Sequence, residues 1–232
     1  MAGRGKFFEL LDVVKFARPD IVSLQPSPTA RLLTERLGGG GFMSYGAMYS
    51  RIRFIVNGLA TDQFIQDEFS FYEDDWKNKS LQAAFTLLRD HMGGKGNWYP
   101  IATAANYILG FWFKPSIKGF WYHEGQTYAV LINARKGQPL SGNGVRFLAR
   151  GVYELHCIDN PNNPIPLIVD LSQHPEDKER KARIYPVPAE EATSLEAFEQ
   201  TVRDFLVALN QAGISLPPPP EAEHILDLFR RP

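Results

Sequence analysis

A single cysteine, Cys157, stands in a chain of 232 residues. That excludes an intramolecular disulfide, and a reducing, cytoplasmic setting is the expectation that follows. Long apolar runs are absent too. The longest, Tyr107 to Phe113, falls far short of the about 20 residues that a membrane-spanning helix needs. Glu9 and Asp12 interrupt the N-terminal apolar residues too early for the core of a signal peptide. The reading is therefore of a soluble protein with no membrane partner. A net charge of −1 leaves no overall excess of one sign to dictate partners.

Nucleotide and metal signatures are missing as well. No G-x-G-x-x-G occurs. Gly38 to Gly41 lacks a following lysine and hydroxyl, and Gly93-Gly94-Lys95-Gly96 lacks the spacing of a phosphate loop, so both read as helix stops and loops. There is no C-x-x-C and no H-E-x-x-H, and the five histidines are scattered. No resident cofactor is expected.

What is present suits an ordinary globular core. Hydrophobic residues make up 44% of the chain and charged ones 22%, and a chain of this length buries roughly 70% of its unfolded surface. Helical spacing of Phe7, Phe8, Leu10, Leu11 and Val14 predicts a helix over 5–17, and Ser27-Pro28 opens a second that runs to Leu37. Residues 43–75 fit both strand (51–56) and helix. Leu81, Ala84, Phe85 and Leu88 predict a helix over 80–92, and a further apolar helix is read from about Tyr99 to Trp112.

The period then changes. Segments 118–122 and 127–133 flank His123-Glu124-Gly125-Gln126 and read as a β-hairpin. Residues 144–157 lean to helix, while 165–171 and 183–187 read as strands. Thr193 to Gln211 is the most regular helix, with Thr193 and Glu196 as a capping box and Gly213 as its stop. Helices clustered first and strands later argue for an α+β fold: a helical N-terminal half packed with a small, mostly antiparallel sheet, and C-terminal helices. Residues 1–216 are expected to form one domain, followed over 217–232 by a proline-rich spacer and a short helix.

Charge is unevenly distributed. Residues 61–90 hold seven acids against three bases, whereas 101–150 hold six bases against one acid, a local excess of +5. In that second stretch Phe111, Trp112, Phe113, Phe120, Trp121 and Tyr122 interleave with the cations. Single-stranded nucleic acid is bound by this mixture, because bases stack on rings while lysine and arginine neutralise phosphates. The same residue types suit the centre of a protein interface. Lys114, Lys118, Trp121, Tyr122, Arg135, Lys136, Arg146 and Arg150 are therefore the candidate binding residues of a non-enzymatic binding or accessory protein, whose partner is nucleic acid or an acidic protein.

Two catalytic alternatives have residues to support them. Asp170 ends an apolar strand and Glu179-Arg180-Lys181 follows, an order in which metal-dependent nucleases hold Mg²⁺ on an acid and the Glu of an E-x-K pair. Asp170, Glu179 and Lys181 are the candidate catalytic residues of that hydrolase reading. Cys157, which needs a histidine brought to it by the fold, is the candidate nucleophile of a second, and His123, His156 and His174 are the other candidates for nucleophile or metal chemistry. Tyr72-Glu73-Asp74-Asp75-Trp76 reads as a solvated loop or the acidic first turn of a helix.

Overall fold

In the computed structural model the residues described are 8–17, 25–37, 45–71, 73, 75–101, 106–114, 116–135, 137–174, 176–177 and 179–214. The segment 217–232, expected to be a proline-rich spacer and a short helix, and Gly38 to Gly41 and Lys136 lie outside them. Among the described residues, eight α-helices accompany a five-stranded mixed sheet and a separate two-stranded one, an α+β fold. No described helix is long and apolar enough to cross a membrane.

Six helices come first: α1 (Leu10–Ala17), α2 (Pro26–Leu37), α3 (Gly46–Tyr49), α4 (Ile52–Val56), α5 (Asp62–Glu68) and α6 (Asp75–Met92). The segment 51–56, which suits a strand equally well by residue type, is helical. Its Ile52, Ile55 and Val56 are buried at helical spacing. α6 opens on Asp75, where an acid complements the positive end of the helix dipole.

The helix expected over 99–112 is not there. That stretch forms β1 (Asn97–Pro100), β2 (Asn106–Ile108) and β3 (Phe111–Phe113). Leu109 and Gly110 both take positive φ, 49° and 84°, which closes β2 onto β3 in a two-residue turn of the kind hairpins favour. The aromatic residues that resembled an apolar helical stripe instead alternate across strands, and burial in β2 runs buried, exposed, buried. β4 (Gly119–His123) and β5 (Gln126–Asn133) form the expected hairpin, and its turn uses the same device at Glu124 (φ 50°) and Gly125 (φ 82°).

From β5 the chain crosses through α7 (Gly142–His156), capped by Ser141 Oγ on the Gly144 N–H, to the parallel strand β6 (Ile165–Asp170). β7 (Arg183–Pro186) then returns antiparallel. The sheet order β1-β4-β5-β6-β7 thus contains a single parallel pair at its centre. α8 (Leu195–Gln211) closes the described chain, and its cap is Ser194, which accepts from the Ala197 N–H, one residue beyond the expected Thr193.

Two cores flank this sheet. On one side Ala129, Leu131 and Ile168 pack against α1, α2, α7 and α8; on the other Val130, Ile132, Leu167 and Val169 pack against α3 to α6. Burial on both faces is why β5 and β6 are almost uninterrupted apolar runs. β1 is an edge strand, and it and the outer end of β4 carry rings in solvent.

Candidate binding surface and the polar networks beside it

β1 pairs with β4 so that Tyr99 lies opposite Phe120 and Asn97 opposite Tyr122. Side chains directly opposite share a face, so Tyr99, Phe120 and Tyr122 line one face at the sheet's edge. Tyr99 is 55% exposed and Tyr122 42%, while Phe120 is half-buried. That face is the one whose core, through Ile108 and Phe113, also anchors the β2–β3 hairpin. On the hairpin, Tyr107 (56% exposed) and Trp112 share the outer face with ring centroids 5.1 Å apart, and Phe111 is 39% exposed. No Asp or Glu occurs between Asp90 and Glu124 in the sequence, so every ring named here comes from a segment free of carboxylates. Gly119 permits this close strand pairing: a Cβ there would stand 2.7 Å from the Trp98 ring and 2.8 Å from the Tyr99 carbonyl oxygen.

The candidate cations divide into three groups. Lys118, Arg135 and Arg150 are engaged within the protein. Arg135 pairs with Asp12 at 2.8 Å and Glu9 at 3.5 Å, and Lys118 Nζ lies 3.8 Å from Glu9. Arg150 pairs with Glu154 at 3.0 Å and donates to the carbonyls of Thr193 and Ala189. Lys114 and Arg146 are exposed, Lys114 at the end of β3 and Arg146 on α7. Lys136 is outside the described residues. Of the two candidate rings, Tyr122 is open to solvent, whereas Trp121 is buried, stacked on His123 at 4.7 Å, with its indole N–H donating to the Lys95 carbonyl. Tyr99 and Tyr107 were not singled out from the sequence, and Phe111 was read only as part of the aromatic mixture. The signal of the two tyrosines was present, as aromatics in an acid-free segment, but hidden by the helical reading of 99–112.

Asp170 is fully buried at the C-terminal end of β6. Its Oδ1 accepts from Asn133 Nδ2 (2.9 Å) and the Ser172 N–H (3.0 Å), and its Oδ2 accepts from the Leu140 N–H (3.0 Å) and pairs with His174 Nε2 (2.9 Å). The carboxylate thereby joins the loop after β5, the loop after β6 and the end of the parallel pair. Neither Glu179 nor Lys181 is among its partners. Glu179 is exposed, and Lys181 is exposed and bonded to Asp177 at 2.8 Å. Among the described residues no three His, Cys, Asp or Glu side chains gather into a set able to hold a metal ion.

Cys157, just past the end of α7, is buried with Sγ 3.6 Å from the Val152 carbonyl oxygen, and burial pushes its thiol up to about 12. A thiol held protonated is a poor nucleophile. His156 beside it is pulled down to about 4 by burial, and its Nε2 has no hydrogen-bond partner among the described residues. The folded state therefore holds this ring neutral while the unfolded state protonates it below the ordinary value of 6.5. Between those values the unfolded chain binds the extra proton, so stability falls as pH falls. A loss of roughly 2 kcal/mol is expected from pH 6.5 to pH 4, the full separation being reduced by the ring's partial contact with water. Urea titrations at a series of pH values check it, and His156→Gln should flatten that part of the profile.

Compared with family models, with curated proteins and with solved structures, the chain matches none.

Proposed function

We propose that this chain is a non-enzymatic binding protein whose working surface is the aromatic face of β1, β4 and the β2–β3 hairpin, and whose partner is single-stranded nucleic acid. The observation that carries the reading is the set of exposed rings, Tyr99 and Tyr122 at the sheet edge and Tyr107 on the outer face of the hairpin, in a segment of the sequence with no carboxylate. Rings of this kind stack on bases irrespective of sequence, at about 1–3 kcal/mol per base. Lys114 and Lys95, both exposed in the same segment, supply the nearby positive charge. With Arg135 and Arg150 held by internal carboxylates and the Lys118 side chain largely buried, stacking rather than charge carries most of the affinity in this reading.

Two measurements test it. Fluorescence anisotropy with a labelled oligothymidine strand should show binding at low salt whose logarithmic salt slope is shallow, about −1.4 for two neutralised phosphates. Tyr99→Ala and Tyr122→Ala should each weaken binding by about fivefold to a hundredfold while leaving the fold intact. Absence of binding at low salt, or unchanged affinity in both variants, removes the nucleic-acid reading; capture of an acidic polypeptide by the wild type alone would move the partner to that class.

A further inference from the structure

We infer that Lys118 is a covalent attachment site, an amine that condenses with a small uncharged carbonyl compound to form an imine. The argument starts from what its nitrogen lacks. Lys118 precedes β4 with its side chain 12% exposed, and its amide donates to the Val130 carbonyl, which fixes the backbone against β5. An ammonium carries three donors, yet no acceptor among the described residues lies within hydrogen-bonding distance of Nζ. The nearest carboxylate oxygen, Glu9 Oε1, is 3.8 Å away, and the Tyr49 ring centroid 4.6 Å. A buried charge left this way is costly, whereas a neutral amine has little to lose.

The surrounding charges point in the same direction. Arg135 pairs with Glu9 at 3.5 Å and with one oxygen of Asp12 at 2.8 Å, and the other Asp12 oxygen accepts from the Glu9 N–H. Counting Lys114, Lys118 and Arg135 against Glu9 and Asp12, the cluster carries one cation too many; with Lys118 neutral, two cations face two anions. Glu9 and the Tyr49 ring favour the ammonium, but burial outweighs them and, with Arg135 and Lys114, holds Lys118 below the usual lysine range. Desolvation beside other cations is one of the ways proteins activate a lysine amine. The charge balance also selects the partner: an uncharged aldehyde leaves two cations against two anions, and a charged one does not.

The step conserves atoms. The Nζ lone pair attacks the carbonyl carbon as the C=O π bond opens, the Glu9 carboxylate carries the two Nζ protons in turn to the oxygen, and water leaves as the C=N bond forms. A lysine kept as a buried ion-pair partner would be costly to remove, because its carboxylate would be left alone. Here Glu9 keeps Arg135, so Lys118→Met should fold with little change in melting temperature.

The test is competitive acetylation of the full chain from about pH 6 to about pH 11, read lysine by lysine by mass spectrometry. Midpoints in such profiles do not depend on steric access. Lys118 should react with a midpoint below that of an acetyl-lysine amide standard, while Lys79, which its hydrogen bond to Asp75 holds above the usual range, should titrate later than the standard. Propanal with cyanoborohydride should then place the largest share of adduct on Lys118, and Lys118→Met should lose that share. A Lys118 midpoint at or above the standard, or propanal adducts only on exposed lysines, overturns the assignment.

Discussion

Asp170→Ala is expected to lose about 4 kcal/mol of stability, the largest effect of any single change considered for this protein. The carboxylate is fully buried and receives two backbone N–H groups, an amide N–H of Asn133 and a ring nitrogen of His174. Each bond to a charged acceptor contributes about 1.5–3 kcal/mol, and each donor orphaned in a dry site costs about 1–3 kcal/mol. Simple addition overshoots, because the four share one group and the loops can relax toward water. Against a total stability of about 5–15 kcal/mol the loss places the variant near the edge of folding. Asp170→Asn keeps the shape and part of the accepting capacity, so its loss should be smaller. Urea denaturation followed by circular dichroism measures both; a loss under about 1 kcal/mol for the alanine variant would contradict the role given to this residue. The result also bears on the hydrolase reading, since disappearance of any activity in Asp170→Ala is expected from unfolding alone.

Gly96→Ala is expected to cost about 3 kcal/mol and to abolish binding through the aromatic face. Gly96 precedes β1 with φ of 70°, a backbone conformation that costs an L-residue about 1–2 kcal/mol. A Cβ there would also run into the carbonyl oxygen of Tyr122, with the carbonyl carbon at 3.0 Å and His123 Cα at 3.2 Å. These are backbone atoms of the paired strand, so relief requires β1 to move away from β4, taking Trp98 and Tyr99 with it. Gly125→Ala separates the two causes. Its φ is 82° but a Cβ there meets nothing within 4 Å, so only the backbone cost of about 1 kcal/mol should remain. Equal losses in the two variants would mean that the contact with Tyr122 carries no weight.

Much of the fold was legible before the structure. α1, α2, α6, α7, α8 and the β4–β5 hairpin follow from spacing, caps and the Glu124-Gly125 turn. The segment 99–112 failed because its signals conflict: Tyr107 to Phe113 is apolar without alternation, which periodicity alone assigns equally to a buried helix. Leu109-Gly110 marked a turn there, and the aromatics a strand, but only the pairing of β1 with β4 and of β2 with β3 separates the readings. The candidate binding residues show the same limit. Lys118, Arg135 and Arg150 count as cations in any tally of residues 101–150, yet Arg135 meets Asp12 from 123 positions away and Glu9 from 126. No local pattern can register a neutralising partner at that distance.

By itself the amino-acid sequence determined the order and type of most elements, the absence of a disulfide and of nucleotide-loop motifs, and the concentration of rings in an acid-free middle segment. These are local properties, set by propensity, side-chain period and composition. Which rings stay in solvent, which cations keep their charge free, and what surrounds Asp170 and Lys118 were decided only when the sheet closed between its two helical layers. Burial and pairing depend on residues far apart in the chain, and the cost or gain of a charge depends on both.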